Sequence, residues 1–179
     1  MKSSDEAIVD VNEEWRRQMV GEYLEGESSG LGRRVALVCA RFNGAITARL
    51  LDGAIAGLTE AGVDRRDLSV AWAPGAFELP ILARAFAVRE GPVDAVIALG
   101  AVIRGDTGHY EVVANECARG IQTVQLQTGV PVIFGVLTTN TVAQALERSL
   151  PDETNKGREA ARSALEMVSV LRRGSLGAP

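Results

Sequence analysis

The stretch Val93-Asp-Ala-Val-Ile-Ala-Leu-Gly-Ala-Val-Ile-Arg-Gly-Asp-Thr-Gly-His-Tyr decides the fold of this chain. Residues 93–99 are almost wholly apolar, which is typical of a buried parallel strand. Apolar residues then recur downstream at helical spacing, at Val112, Val113, Cys117 and Ile121. The stretch therefore predicts a strand, a loop broken by glycines, and a helix that begins near His109.

The same order is repeated along the chain. Strand-like runs occupy residues 35–40, 68–73, 93–99 and 132–137, and a helical pattern follows each of them. Strands that alternate with helices form parallel β-α-β units with right-handed crossovers. We therefore predict an α/β fold, a three-layer α/β/α sandwich of the flavodoxin-like kind with a four-stranded parallel sheet.

The first thirty residues differ from the rest. Residues 1–30 carry eight acidic and three basic side chains and end in the run Gly26-Glu-Ser-Ser-Gly-Leu-Gly, which is typical of a flexible linker. Trp15, Met19 and Tyr23 share one helical face, so this segment either forms a short helix on docking or stays disordered. We predict an acidic N-terminal extension with a linker at 1–30 and one domain at 31–179.

Composition narrows the functional classes. The chain is 46% hydrophobic and 23% charged, with a formal net charge of −4, as in ordinary soluble proteins. It has no basic patch for nucleic acid, no apolar run of about 20 residues for a membrane, and no secretion signal, so we expect a cytoplasmic protein. Cys39 and Cys117 lie in apolar patterns and are expected to be buried thiols. With one histidine, a metal site is not expected.

Unusual loops follow all four predicted strands. Because ligands bind beyond the carboxyl ends of the strands in open α/β sheets, we expect these loops to form one site. Phe42 could stack on a flat ring, although its neighbour Asn43 could also serve only as a helix cap. Glu78 could bind a ligand or merely complement a helix dipole. After the fourth strand, Asn140 or Thr141 could be a cap.

The loop that ends at His109 suits phosphate capture and proton transfer. It combines a cation at Arg104, a hydroxyl at Thr107 and the side chain that ordinarily titrates nearest neutral pH. Arg104, Arg148 and Lys156 could together form an anion pocket. The alternative is a histidine that only caps or packs. Nucleotide-binding glycine motifs and a nucleophile elbow are absent from the sequence.

Five motifs together resemble the 6,7-dimethyl-8-ribityllumazine synthase family, over about residues 31–173. They are Arg41-Phe-Asn, Pro74-Gly-Ala-Phe-Glu-Leu-Pro, Ala98-Leu-Gly-Ala-Val-Ile-Arg-Gly-Asp-Thr-Gly-His-Tyr, Phe134-Gly-Val-Leu-Thr-Thr and Asn155-Lys-Gly. The resemblance implies the penultimate reaction of riboflavin synthesis, in which 5-amino-6-(D-ribitylamino)uracil condenses with 3,4-dihydroxy-2-butanone 4-phosphate. It implies no cofactor, and a homo-oligomer that is either a pentamer or a capsid built from pentamers.

The resemblance also implies residue roles. His109 would transfer protons. The substrate-binding residues would be Phe42, Ala76, Phe77, Glu78, Ala101, Val102, Ile103, Asp106, Thr107, Phe134, Arg148 and Lys156. Within this set, the ring of Phe42 would stack on the pyrimidine, residues 76–78 would hold the ribityl chain, and residues 101–103 would bind the pyrimidine edge. The phosphate would meet 106, 107 and Arg148, Lys156 would add positive charge, and Phe134 would come from a neighbouring subunit.

Two features depart from a simple transfer of roles. Residues 1–30 exceed the usual start of the family, and the carboxylate of Asp106 would lie beside a phosphate, so its side chain is expected to turn toward Arg104. Three other functions stay open at this point. They are a riboflavin synthase of the archaeal kind, an inactive shell protein on this fold, and a phosphate- or flavin-binding module without catalysis.

Overall fold

The computed structural model describes residues 18–174. Its strands are β1 Val35–Ala40, β2 Leu68–Ala73, β3 Ala95–Ile103 and β4 Val132–Thr139. Its helices are α1 Gly44–Glu60, α2 Leu79–Val88, α3 His109–Thr128, α4 Val142–Glu147 and α5 Lys156–Arg173, with 3-10 turns at Arg65–Asp67 and Ala76–Glu78. None of the helices within residues 18–174 is long and apolar enough to cross a membrane.

The four strands form one parallel sheet in the order β2-β1-β3-β4, with helices on both faces. On one face Leu37 and Ile97 belong to a core with side chains of α1 and α5. On the other face Val38 and Val96 belong to a second core with α2 and α3. The predicted three-layer α/β fold is confirmed, and it brings the carboxyl ends of all four strands to one edge.

Strand β3 is longer than the apolar run at 93–99 indicated. It continues to Ile103 because β4 pairs with it to the end, with Ala101 opposite Leu137 and Ile103 opposite Thr139. The amide of Arg104 then donates to the Thr139 carbonyl at 2.9 Å. The pyrimidine-edge residues of the sequence hypothesis therefore lie on a strand end rather than in a loop.

The start of α5 depends on a buried asparagine. The Oδ1 atom of Asn155 accepts from the amide of Gly157 at 2.8 Å, and its Nδ2 atom donates to the Leu150 carbonyl at 2.8 Å. Gly157 packs so tightly that an added Cβ atom would lie 1.9 Å from the Leu50 carbonyl oxygen. The Asn155-Lys-Gly motif is thus largely architectural, and it fixes the position of Lys156 between its two structural residues.

The run predicted to be a flexible linker is held against the domain. A Cβ atom added to Gly26 would lie 2.3 Å from the Glu166 carbonyl oxygen, and Ser28 donates to the Glu166 carboxylate at 3.1 Å. The buried Gly30 donates from its amide to the Ala61 carbonyl at 2.8 Å. Gly26 allows close packing on α5, and Gly30 allows close packing on Ala61 and Val63 just after α1. Composition alone does not distinguish such packing from flexibility. Trp15 of the proposed helical face lies outside the described residues.

Candidate active site

A cavity of about 710 Å³ opens at the carboxyl edge of the sheet, where loops after β1, β2 and β3 meet. Its size suits a small-molecule ligand. Its lining combines apolar walls, two exposed aromatic rings, one carboxylate and the histidine. The lining residues are Phe42, Asn43, Pro74, Gly75, Ala76, Phe77, Glu78, Ala101, Val102, Ile103, Gly105, Thr107, His109, Tyr110, Val112 and Val113.

The loop after β1 presents an aromatic ring to this cavity. Phe42 is 74% exposed, and its amide donates to the Pro74 carbonyl at 3.1 Å, which ties the first loop to the second. Asn43 adopts a left-handed conformation with φ 57° and makes no side-chain capping bond. Asn43 thus occupies the N-cap position of α1, but its side chain does not cap the helix. The ring of Phe42 is left free to cover one face of a flat ligand.

The loop after β2 supplies main-chain groups and a carboxylate. Ala76–Glu78 form a 3-10 turn that leads into α2, with Ala76 buried, Phe77 54% exposed and Glu78 exposed. A Cβ atom added to Gly75 would lie 3.2 Å from a carboxylate oxygen of Glu78. The lack of a side chain at Gly75 therefore leaves room for that carboxylate. Such a loop can hydrogen-bond several hydroxyl groups of a polyol.

The loop after β3 brings Thr107 and His109 to the same cavity. His109 is the first residue of the 20-residue helix α3, and its amide donates to the Thr107 hydroxyl at 3.4 Å. The imidazole is exposed, so it is available for proton transfer to a ligand. The amides at the start of a helix favour anions. Together these features fit a bound phosphate beside a proton-transfer group.

Arg104 does not lie where the anion-pocket hypothesis expected it. Its Nε atom donates to the Asn140 side chain at 3.0 Å, its Nη1 atom binds the Glu111 carboxylate, and its guanidinium carbon lies 4.3 Å from the centre of the Tyr110 ring. The hydrogen bond from Arg104 lowers the pKa of Glu111. We expected Asp106 to face this guanidinium, but the carboxylate that it binds is that of Glu111. Neither Arg104 nor Asp106 is among the residues that line the cavity.

A second depression of about 320 Å³ lies along the outer edge of β4, against the first turns of α5. It contains Phe134, Arg148 and Lys156. The amide of Lys156 donates to the Arg148 carbonyl at 3.0 Å, and the Arg148 side chain donates to the Gln144 carbonyl at 3.2 Å. These three predicted site residues are thus brought together, but apart from the cavity that holds His109.

The predicted site is therefore divided into two half-sites on one chain. The first cavity holds Phe42, Ala76, Phe77, Glu78, Ala101, Val102, Ile103, Thr107 and His109. The second holds the two cations, whereas the described lining of the first includes no lysine or arginine. Sequence reasoning missed Tyr110 and Val113 in the first lining. Helical spacing could have indicated Val113, because it lies four residues after His109 on the same face of α3, whereas Tyr110, one residue after His109, carries no such signal.

A doubly wound parallel sheet with a ligand-sized cavity at its carboxyl edge defines an α/β protein that binds small molecules there. The particular family follows from comparison with known families. The model of the 6,7-dimethyl-8-ribityllumazine synthase family matches residues 32–172, and the chain belongs to this family. Membership indicates a transferase-type enzyme of riboflavin biosynthesis.

Proposed function

We propose that the protein condenses 5-amino-6-(D-ribitylamino)uracil with 3,4-dihydroxy-2-butanone 4-phosphate to give 6,7-dimethyl-8-ribityllumazine, phosphate and water. The observation that carries this proposal is the first cavity. It places an exposed aromatic ring, a loop suited to a polyol and the single histidine of the chain around one space of about 710 Å³. The family match over residues 32–172 supports the same reaction.

The chemistry requires orientation and proton transfer. The primary amine of the pyrimidine attacks the ketone and water leaves, so that an imine forms; phosphate is then eliminated, and the second amine closes the ring on the remaining carbonyl with loss of another water. Each step moves protons between nitrogen, oxygen and carbon. His109 is the group in the cavity that we assign to this transfer. The walls hold the two substrates in contact, which lowers the entropic part of the barrier.

Each part of the substrates has a matching surface. The ring of Phe42 covers the pyrimidine, and the end of β3 at 101–103 hydrogen-bonds its edge. The turn Ala76–Glu78 binds the ribityl hydroxyls. Thr107 and the main-chain amides near the start of α3 bind the phosphate, which removes the difficulty of the Asp106 carboxylate because only its amide is required there.

We further propose that each working site is shared between two subunits. A phosphate needs a cation, yet Arg148 and Lys156 lie in the second depression of the chain. The first cavity of one subunit would be completed by the β4 edge of its neighbour, with Phe134 closing over the pyrimidine. A head-to-tail contact of this kind closes into a ring when the rotation between neighbouring subunits is a whole fraction of a turn. The family resemblance supplies the number five for that ring.

The reaction is tested by mixing both substrates with the protein and following lumazine fluorescence. We expect product to form only when both substrates are present, with release of inorganic phosphate. Arg148→Ala should raise the KM of the phosphate substrate at least about tenfold and that of the pyrimidine by less than about threefold, because a guanidinium binds phosphate in a bidentate way. Equal effects on both KM values would show that Arg148 does not bind the substrate phosphate.

The sharing of the site is tested by complementation. At a limiting concentration of the phosphate substrate, His109→Ala and Arg148→Ala subunits are each expected to be poorly active alone, and they carry their defects in different half-sites. Co-expressed in equal amounts, they should regain about a quarter of the wild-type sites, because a random head-to-tail arrangement pairs two intact half-sites at that frequency. Activity no higher than the mean of the two separate variants would show that the half-sites work within one chain.

A further inference from the structure

Arg104 connects three elements at the edge of the sheet. Its amide donates to the last residue of β4, Thr139, at 2.9 Å, and its guanidinium reaches Asn140 just beyond that strand. The same guanidinium binds Glu111 and stacks over Tyr110, both in the first turn of α3. Arg104 and Glu111 therefore stand on either side of the loop that contains Thr107 and His109.

This arrangement contributes mainly by fixing the orientation of Arg104 and only slightly to stability. Arg104 and Glu111 are 44% and 46% exposed, and an ion pair this open to water contributes little to stability. A planar guanidinium with partners on two edges and an aromatic ring on its face is nevertheless fixed in orientation. The contact joins the two ends of a six-residue connection, so it limits the conformations of a segment whose backbone includes two exposed glycines, Gly105 and Gly108.

The network also reaches the helix that carries Arg148. The Asn140 amide donates to the Gln144 side chain at 2.8 Å, and the Gln144 carbonyl accepts from the Arg148 side chain at 3.2 Å. One chain of contacts therefore runs from the loop of the first cavity to the cation of the second. The end of the β3–β4 pair therefore contacts both the loop of the first cavity and the segment that carries Arg148.

We infer that Arg104 is a positioning residue, which holds the loop with Thr107 and His109 in place by bridging Glu111, Asn140 and Tyr110, and that it does not bind the substrate phosphate. Its three partners lie on its own chain, and it is not among the lining residues of the first cavity. The inference rests on the proposed function only for its kinetic consequences.

The kinetic test compares Arg104→Met, Arg104→Lys, Glu111→Gln and the double variant Arg104→Met/Glu111→Gln. Arg104→Met should lower kcat about tenfold because His109 is displaced, and any rise in the KM of the phosphate substrate, caused by displacement of Thr107 in the same loop, should be matched in Glu111→Gln. Lysine, which keeps the charge but not the fork, should restore less than half of that loss. The double variant should be no slower than Arg104→Met, because the Arg104–Glu111 contact that the second substitution removes is already lost in the first.

The matched control is Arg66→Met. Arg66 also pairs with a carboxylate, that of Asp64, but it lies in the turn before β2. The Arg66→Met variant should leave kcat and both KM values unchanged. A tenfold rise in the KM of the phosphate substrate on Arg104→Met, with kcat and the Glu111→Gln variant unaffected, would make Arg104 a phosphate ligand and overturn the inference.

A second measurement does not depend on catalysis. Hydrogen exchange followed by mass spectrometry should show faster exchange of peptides covering residues 104–112 in Arg104→Met and Glu111→Gln than in wild type or Arg66→Met. Unchanged exchange in these peptides would overturn the inference. If the wild-type protein makes no lumazine, the proposed function fails, while the exchange data still decide whether Arg104 holds the loop.

Discussion

The side-chain amide of Asn43 donates a hydrogen bond to the main-chain carbonyl of Ala101 at 2.8 Å. This bond joins the loop after β1, next to Phe42, to the end of β3. Asn43 is also the single non-glycine residue with positive φ within residues 18–174. Asparagine tolerates that conformation, and its side-chain amide can donate to the Ala101 carbonyl.

Two substitutions at Asn43 separate these effects. Asn43→Gly loses the hydrogen bond but accepts the left-handed backbone, so we expect a loss of about 1 kcal/mol in the free energy of unfolding. Asn43→Ala loses the bond and is strained as well, which should add about 1 kcal/mol. Urea unfolding at one fixed protein concentration measures both. Equal stability of the two variants would show that the backbone conformation relaxes.

Removing the imidazole should slow the reaction without preventing binding. His109→Ala is expected to lower kcat on the order of 10²-fold, the low end for the loss of a general acid or base, because condensation of an amine with a ketone is intrinsically easy. Steady-state rates from lumazine fluorescence provide the measurement. Since this is the one histidine in the sequence, chemical modification of histidine should reproduce the loss. Wild-type turnover in the variant would exclude the assignment.

The glycine of the Asn155-Lys-Gly motif should be intolerant of any side chain. Gly157→Ala places a methyl group 1.9 Å from the Leu50 carbonyl oxygen, which must displace α1 from α5, and we expect a loss of about 3 kcal/mol. Gly44→Ala is the matched control, because its added methyl group meets nothing within 4 Å. It should be neutral or slightly stabilising. Thermal unfolding of the two variants would contradict this explanation if their midpoints agreed.

Removal of the N-terminal extension should spare catalysis. A chain that begins at Ser29 loses the Ser28–Glu166 and Glu27–Arg173 contacts, but these lie toward the C-terminal end of α5, away from Lys156. We expect kcat/KM within about threefold of wild type, under 1 kcal/mol in activation free energy. A second truncation that begins at Tyr23 keeps both contacts, so comparing the two truncations separates the loss of these contacts from the loss of the preceding residues. Loss of activity in a folded, assembled truncation would place the extension in the active site.

Under the shared-site proposal, the same truncations test how the extension affects assembly. Its excess of acidic residues would repel neighbouring copies at low salt and be screened at high salt. If that repulsion dominates, the truncated protein should assemble more readily at low salt. If the apolar face at Met19 instead docks on a neighbour, truncation should weaken assembly at every salt concentration. Light scattering across a salt series distinguishes the two outcomes.

Burial of a thiol makes stability depend on pH at the alkaline end. Burial raises the pKa of Cys39 from 9.0 to about 12. Between these values the unfolded chain has lost a proton that the folded chain retains, so stability present below pH 9 falls as the pH rises. The slope contributed by this thiol is about 1.4 kcal/mol per pH unit. Cys39→Ala should show a shallower decline between pH 9 and 11 than wild type; an unchanged slope would contradict the effect.

The fold was predictable from the sequence because strands that are buried on both faces of the sheet are apolar along their whole length. Strands such as Val35–Ala40 are apolar at every position, and the helices between them repeat at helical spacing. The boundaries were less accessible. Nothing local marks Ala101–Ile103 as strand, since their pairing with residues 137–139 of β4 is what extends β3. The fixed segment at 26–30 was missed for a similar reason, because its contacts lie on α5 and on residues 61–63, both distant in sequence.

The spatial grouping of the candidate residues was predictable in part, for a related physical reason. Residues near strand ends were correctly grouped, since parallel strands end at one edge, and nine of them line one cavity. The partner of a charge could not be read from spacing. Arg104 was expected to meet an anion or Asp106, whereas the helical turn beginning at His109 carries Glu111 and Tyr110 back to it.

The division of the predicted site between two surfaces determines how activity falls as subunits are damaged. Under the shared-site proposal, each subunit serves one site with its first cavity and another with its β4 edge. A subunit destroyed by chemical damage then silences two sites, one on each side. Surviving activity would fall roughly as the square of the intact fraction. A preparation with one subunit in ten ruined would lose close to twice as much activity as protein.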